Sequence, residues 1–227
     1  MIPDGLRSGT STMIINDEII GMVMEPTADG NVDVRDWPEV AGTRKSAGLD
    51  RMFVALRAIQ DAAHGTAATD EVAGRVASIL EDALRELRPS QEIITSDDWT
   101  TADGPRAENL ISPPLTGVGV SGGKVLAAVT FSRYHHGSNG AVHGGSIPLL
   151  FDDFLGRIVA ASGVRARTAW LRVDYRRVTP VNQQLQLSGW ISQIEGRKYS
   201  VRGELRINDL VTAEATSLFV ELRPGAI

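Results

Sequence analysis

The sequence predicts an α+β domain in which an antiparallel sheet wraps around one long buried helix, with a helical extension in front of it. Three observations predict it. Residues 147–161 are apolar nearly all round, the mark of a buried helix. From residue 168 to 222 apolar positions recur with period two in four consecutive segments divided by turn residues. Between residues 49 and 87 two segments show the i, i+3, i+4, i+7 spacing of amphipathic helices.

Charge divides in the same way. Residues 1–110 hold 10 Lys or Arg against 20 Asp or Glu, and residues 111–227 hold 13 against 8. The basic half suits an anionic ligand. It is too mildly basic, and too poor in aromatic platforms, for nucleic acid. The absence of Cys excludes disulfides, thiolate metal sites, Cys nucleophiles and Fe–S clusters. It fits a reducing compartment, so a cytoplasmic location is expected. No apolar run reaches the roughly 18–20 residues of a membrane span. Met1–Thr12 lacks the basic and apolar blocks of a secretory signal.

The elements follow in order. Residues 1–42 read as an irregular arm with short strands at Met13–Ile15 and Ile19–Met24, interrupted by Pro26, Gly30 and Pro38. Leu49, Met52, Phe53, Leu56, Ile59 and Ala63 stripe a first helix that Gly65 ends. Thr69 caps a second, with Asp70 and Glu71 suiting its N-terminal dipole and Pro89 stopping it. Together they form a helical hairpin whose stripes need a surface to dock on. A polar connection over residues 90–114 ends in Pro113-Pro114. It sets the boundary between an extension over 1–110 and a domain over 111–227. Lys124–Ser132 follows the Gly122-Gly123 turn as a strand. Residues 137–145 hold glycines at 137, 140, 144 and 145 and read as a loop. After the buried helix come strands at Thr168–Val178, Leu185–Ile194, Tyr199–Ile207 and Leu210–Leu222, with Asn208-Asp209 as a hairpin turn.

The chemistry gathers where the loop enters the buried helix. Gly144 and Gly145 let a ligand approach the backbone closely, and the unpaired N–H groups of the helix start polarise whatever sits there. Asp152 lies seven residues beyond Gly145, about two turns on, and on the same face. A carboxylate in a hydrophobic helix is costly unless paired or used. Polarising donors and one carboxylate make a minimal acyl-transfer site. His135, His136 and His143 have no carboxylate at ligand spacing, so no metal is expected. Asp153 reads as a solvated or capping residue, and His143 as a loop residue bonding to backbone.

His143-Gly144-Gly145, followed by six residues and then Asp152, resembles the signature of hotdog-fold acyl-CoA thioesterases of the phenylacetate-degradation (PaaI-like) type. The strand from Thr168 to Pro180 is similar to the one that follows the helix in that family, and Gly196-Arg197-Lys198 sits at a turn between its later strands. The resemblance covers residues 113–223. It implies a hotdog fold and metal-free hydrolysis of acyl-CoA with no cofactor beyond the coenzyme A of the substrate. It implies a homodimer or dimer of dimers (a homotetramer) with shared sites. It places Asp152 as base or nucleophile, Gly144 and Gly145 as the oxyanion hole, and Thr168 beside the water. His143 and Asn139 fall in the loop. Many members carry Asn six residues before the His, where this chain has Gly137 with Asn139 two residues on. Arg176-Arg177 and Arg197-Lys198 are candidates for the phosphates of coenzyme A. Two rival readings are a non-catalytic acyl-CoA-binding protein and a hotdog dehydratase. The latter needs a His and a carboxylate facing each other, a pattern His143 lacks.

Overall fold

The computed structural model describes residues 47–90 and 110–223. The short strands expected at Met13–Ile15 and Ile19–Met24 lie outside them. The chain divides into two compact units, one containing the helices before residue 110 and the other the sheet after it.

In the first unit, α1 (Ala47–Ala63) and α2 (Asp70–Leu87) are joined through Gly65, at φ +67. The Thr69 hydroxyl accepts from the Val72 N–H at 3.3 Å, an N-cap. No residue of either helix is buried. Neither helix, nor any other among the described residues, is long and apolar enough to cross a membrane.

The second unit is one antiparallel sheet of six strands, β1 (Leu115–Ser121), β2 (Lys124–Thr130), β3 (Ala166–Tyr175), β4 (Gln184–Glu195), β5 (Lys198–Ile207) and β6 (Leu210–Glu221), in the order β1-β2-β4-β5-β6-β3. It curls around α3 (Ser146–Ala161). Seven residues of α3 are buried, among them Leu150, Phe151, Phe154 and Leu155 at 0 % exposure. Each such side chain contributes about 1.5–3 kcal/mol of hydrophobic stabilisation before entropy.

Two glycines let the helix come this close. Gly189 and Gly203 stand opposite each other on β4 and β5. A Cβ at Gly189 would lie 2.7 Å from Ile158, and one at Gly203 would lie 2.9 Å from Phe151. A side chain at either position would fit only if these α3 side chains shifted.

The structure departs from the sequence expectations in three places. β1 was not expected, because Thr116, Gly117 and Gly119 spoil its alternation; its pairing with β2 is irregular there and Gly117 takes φ +57. β2 ends at Thr130 rather than Ser132, because a short 3₁₀ turn begins at Arg133. The expected Thr168–Val178 strand is shifted to Ala166–Tyr175 and bulged between Thr168 and Trp170. Its end turns away where the N–H groups of Arg176 and Arg177 both reach the Thr212 carbonyl, at 2.8 and 3.1 Å.

Candidate active site

The bulge decides which way Thr168 points. Strict alternation would place Thr168 with Trp170 and Arg172, on the face away from the helix. The extra residue pairs Thr168 with Phe219 instead. Phe219 is 3 % exposed and packs beneath Gly156 of α3. Directly opposed residues share a face, so Thr168 faces α3. Its hydroxyl donates to Asp152 Oδ1 at 2.8 Å. Among the described residues no other hydrogen bond reaches that carboxylate, so Oδ2 is open. Tyr199 completes the row beyond Phe219. Burial pushes its phenol above the ordinary value, with Glu221 adding to the effect.

Asp153 is neither solvated nor a cap. It is half-buried and pairs with Arg157 at 3.0 Å, one turn along α3. The neighbouring carboxylates thus have different surroundings, Asp152 a neutral hydroxyl and Asp153 a cation.

The loop before α3 is tied down at almost every amide. The Gly140 N–H donates to His136 Nε2 at 3.2 Å and that of Ala141 to the Ser138 carbonyl at 3.0 Å. Val142 donates to Thr179 at 2.8 Å, and His143 to His135 at 2.7 Å. The Gly145 N–H donates to His143 Nδ1 at 3.1 Å, and that of Ser146 to the His143 carbonyl at 2.9 Å. From Gly140 to Ser146, the Gly144 N–H alone has no acceptor among the described residues. Of the two glycines expected to offer donors, Gly145 therefore spends its N–H on the imidazole and Gly144 keeps its own. The same bond makes Nδ1 of His143 an acceptor, which leaves the imidazole proton on Nε2.

Asn139 and Gly140 form the tip of a tight turn, at φ +54 and +75. Asn is one of the few residues that tolerates this conformation, so the turn alone accounts for Asn139. Gly137 is needed for close approach: a Cβ there would lie 2.9 Å from the His143 Cα. An Asn at 137, the residue that the resemblance leads one to expect, would not fit this loop.

The four candidate cations fall at two ends of β6. Arg176 grips Glu214 through Nε at 3.0 Å and Nη2 at 2.8 Å, and that hydrogen bond and charge hold its guanidinium above the ordinary value. Arg177 donates to the Val211 carbonyl at 3.1 Å. Arg197 donates to the Glu221 carbonyl at 2.8 Å. Val211 and Glu221 are ten positions apart, roughly 30 Å of strand, so the two pairs cannot hold one phosphate within one chain. The Lys198 ammonium has no partner among the described residues. No group of three or more His, Asp or Glu among those residues is arranged to hold a metal ion.

Tyr175 was not singled out from the sequence as a site residue. It lies on the helix-facing side of β3, opposite Ala213, and its hydroxyl donates to the Gly144 carbonyl at 2.6 Å. Its phase with Leu171 and Val173 was legible, but its partner 31 residues away was not.

No family model matches the chain. It is 33% identical over 90 residues to acyl-coenzyme A thioesterase THEM4 of Rattus norvegicus, a match covering 39% of each protein. It is 34% identical over 95 residues to THEM4 of Xenopus laevis, covering 40% of this chain and 42% of that one. The chain thus spans about two fifths of the length of these curated relatives. The crystal structure of a thioesterase superfamily protein superposes with a TM-score of 0.66 at 30% identity, covering 80% of this chain and 94% of the other.

Proposed function

The chain belongs to the thioesterase superfamily, and from that premise we propose that it is an acyl-CoA thioesterase. The reaction converts acyl-CoA and water to a carboxylate and coenzyme A. The observation that carries this reading is a pair of half-sites: the Gly144 N–H before α3, with no acceptor among the described residues, and the Asp152 carboxylate on α3, held by Thr168 with an oxygen to spare. The names of the THEM4 relatives supply the substrate class.

The Gly144 N–H donates to the thioester oxygen as negative charge develops there; such a donor is worth on the order of 10²–10³ in turnover. Asp152 takes a proton from water as the water oxygen bonds to the carbonyl carbon. Collapse of the intermediate breaks the C–S bond, and the departing thiolate recovers the proton. In the nucleophilic variant Asp152 itself attacks, and water then cleaves the mixed anhydride. Thr168 orients the carboxylate in both versions. No metal takes part.

The resemblance to hotdog thioesterases implies a site completed between subunits, so in this proposal the Gly144 N–H of one copy works with Asp152 of another, in a homodimer or a dimer of dimers. Lys198, whose ammonium has no partner among the described residues, is the cation we assign to the phosphates of coenzyme A. Arg176 is committed to Glu214.

A panel of acyl-CoA esters with thiol detection tests the reading. Hydrolysis is the expected result. Binding without turnover would indicate a non-catalytic binder, and hydration of enoyl-CoA a dehydratase.

A further inference from the structure

We infer that Tyr175 is a positioning residue for the carbonyl-polarising N–H of Gly144, acting through the Gly144–Gly145 peptide; the inference rests on the thioesterase reading above. A trans peptide points its carbonyl and its N–H in opposite directions. Here both ends of one plane are held. The Tyr175 hydroxyl donates to the Gly144 carbonyl at 2.6 Å, and His143 Nδ1 accepts from the Gly145 N–H at 3.1 Å.

The peptide before it is held at one end only. The His143 carbonyl accepts from the Ser146 N–H at 2.9 Å, while the Gly144 N–H is left open. The single tie at Ser146 leaves the plane that carries the open N–H free to pivot about its carbonyl end, and holding the next plane, Gly144–Gly145, restrains the ψ of Gly144 and with it that pivot. Glycine has no Cβ to restrict either dihedral. Without the clamp, the position best suited to close approach is also the one most free to turn its donor away. The clamp also polarises the loop, since a donor on a peptide carbonyl strengthens the hydrogen bond made by its N–H.

The tyrosine is placed for this by β3. Tyr175 and Thr168 both face α3 on that strand, seven positions apart. One reaches the Gly144 half-site and the other the Asp152 half-site. A single strand thus supports both ends of the helix's chemistry. Little else anchors Tyr175, which is 53 % exposed, so its packing does not account for the bond.

The test is Tyr175→Phe in the full chain, which removes one oxygen. We expect kcat to fall on the order of 10-fold with KM within about two-fold. Incorporating 4-aminophenylalanine at 175, which keeps a donor, should restore part of the loss. The second readout is the infrared carbonyl stretch of bound benzoyl-CoA, recorded in an Asp152→Asn background to prevent turnover. A working donor lowers that frequency, and adding Tyr175→Phe should shrink the shift. The frequency comes from bound ligand only, so it reports on the donor even if less protein folds. An unchanged shift and kcat in an active enzyme overturn the role of Tyr175 and leave the thioesterase reading standing. A wild-type protein with neither hydrolysis nor carbonyl shift overturns that reading instead.

Discussion

Helices α2 and α3 have similar lengths, 18 and 16 residues, and both carry apolar stripes, yet they end in different environments. α3 buries seven side chains against a curled sheet, while α2 buries none, and its Val72, Ile79 and Leu84 are 40, 66 and 50 % exposed. The difference lies in what the sequence builds for each helix to lie on. For α3, the facing pair Gly189 and Gly203 clears space on β4 and β5 for Phe151, Phe154 and Leu155. For α2, capping by Thr69 and a carboxylate-rich first turn secure the start of the helix, and among the described residues none of its side chains is buried. A stripe shows that a helix has a side to bury. The surface complementary to that side decides whether it is buried.

The comparison is broken most directly at the glycine platform. Gly203→Val would place a branched side chain where a single Cβ already lies 2.9 Å from Phe151. Overpacking of this kind costs about 1–3 kcal/mol or more, so a loss of the cooperative melting transition, or a large fall in its midpoint, is expected by calorimetry. An unchanged melt would mean that α3 does not need the platform.

Leu155→Ala against Leu80→Ala sharpens the same contrast. Leu155 is 0 % exposed and its truncation should cost about 2–5 kcal/mol in urea unfolding. Leu80 is 39 % exposed and should cost well under that. If Leu80→Ala proves equally destabilising, or changes the mass seen by light scattering, the α2 stripe is covered in solution by something further.

The candidate site was readable to different depths. The His143-Gly144-Gly145 motif and Asp152 could be found because the spacing of a helix and the needs of a polarising donor are local. Thr168 could be matched only by resemblance, since alternation alone would have put it on the wrong face; one bulge residue, Ala169, reverses that. The fates of Arg176 and Tyr175 were not legible: Glu214 lies 38 residues away on β6, a neighbour of β3 in space but not in sequence, and Gly144 lies 31 residues away in the loop before α3. β1 escaped because its glycines hide the pattern.

Two smaller effects separate the half-sites from their surroundings. Gly144→Ala adds a methyl that would meet only the Tyr175 oxygen, at an ordinary 3.9 Å. Folding should be unaffected while turnover falls on the order of 10², because the methyl occupies the space of the thioester. Near-normal turnover would move the donor elsewhere. Lys198→Glu should raise KM for acyl-CoA several-fold, less so at high salt, with little change in kcat. No change in KM would take Lys198 out of the phosphate site.

Two adjacent carboxylates of α3 have different surroundings, Asp152 beside Thr168 and Asp153 beside Arg157, and the proposed mechanism gives them different duties. Steady-state hydrolysis of the best acyl-CoA substrate by Asp152→Asn and Asp153→Asn, each checked for an intact melt, tests this most directly. Asp152→Asn should lose a factor on the order of 10² or more in kcat, and Asp153→Asn should stay within about two-fold while losing up to about 1 kcal/mol of stability. Equal losses from the two substitutions, or full activity in Asp152→Asn, would contradict it.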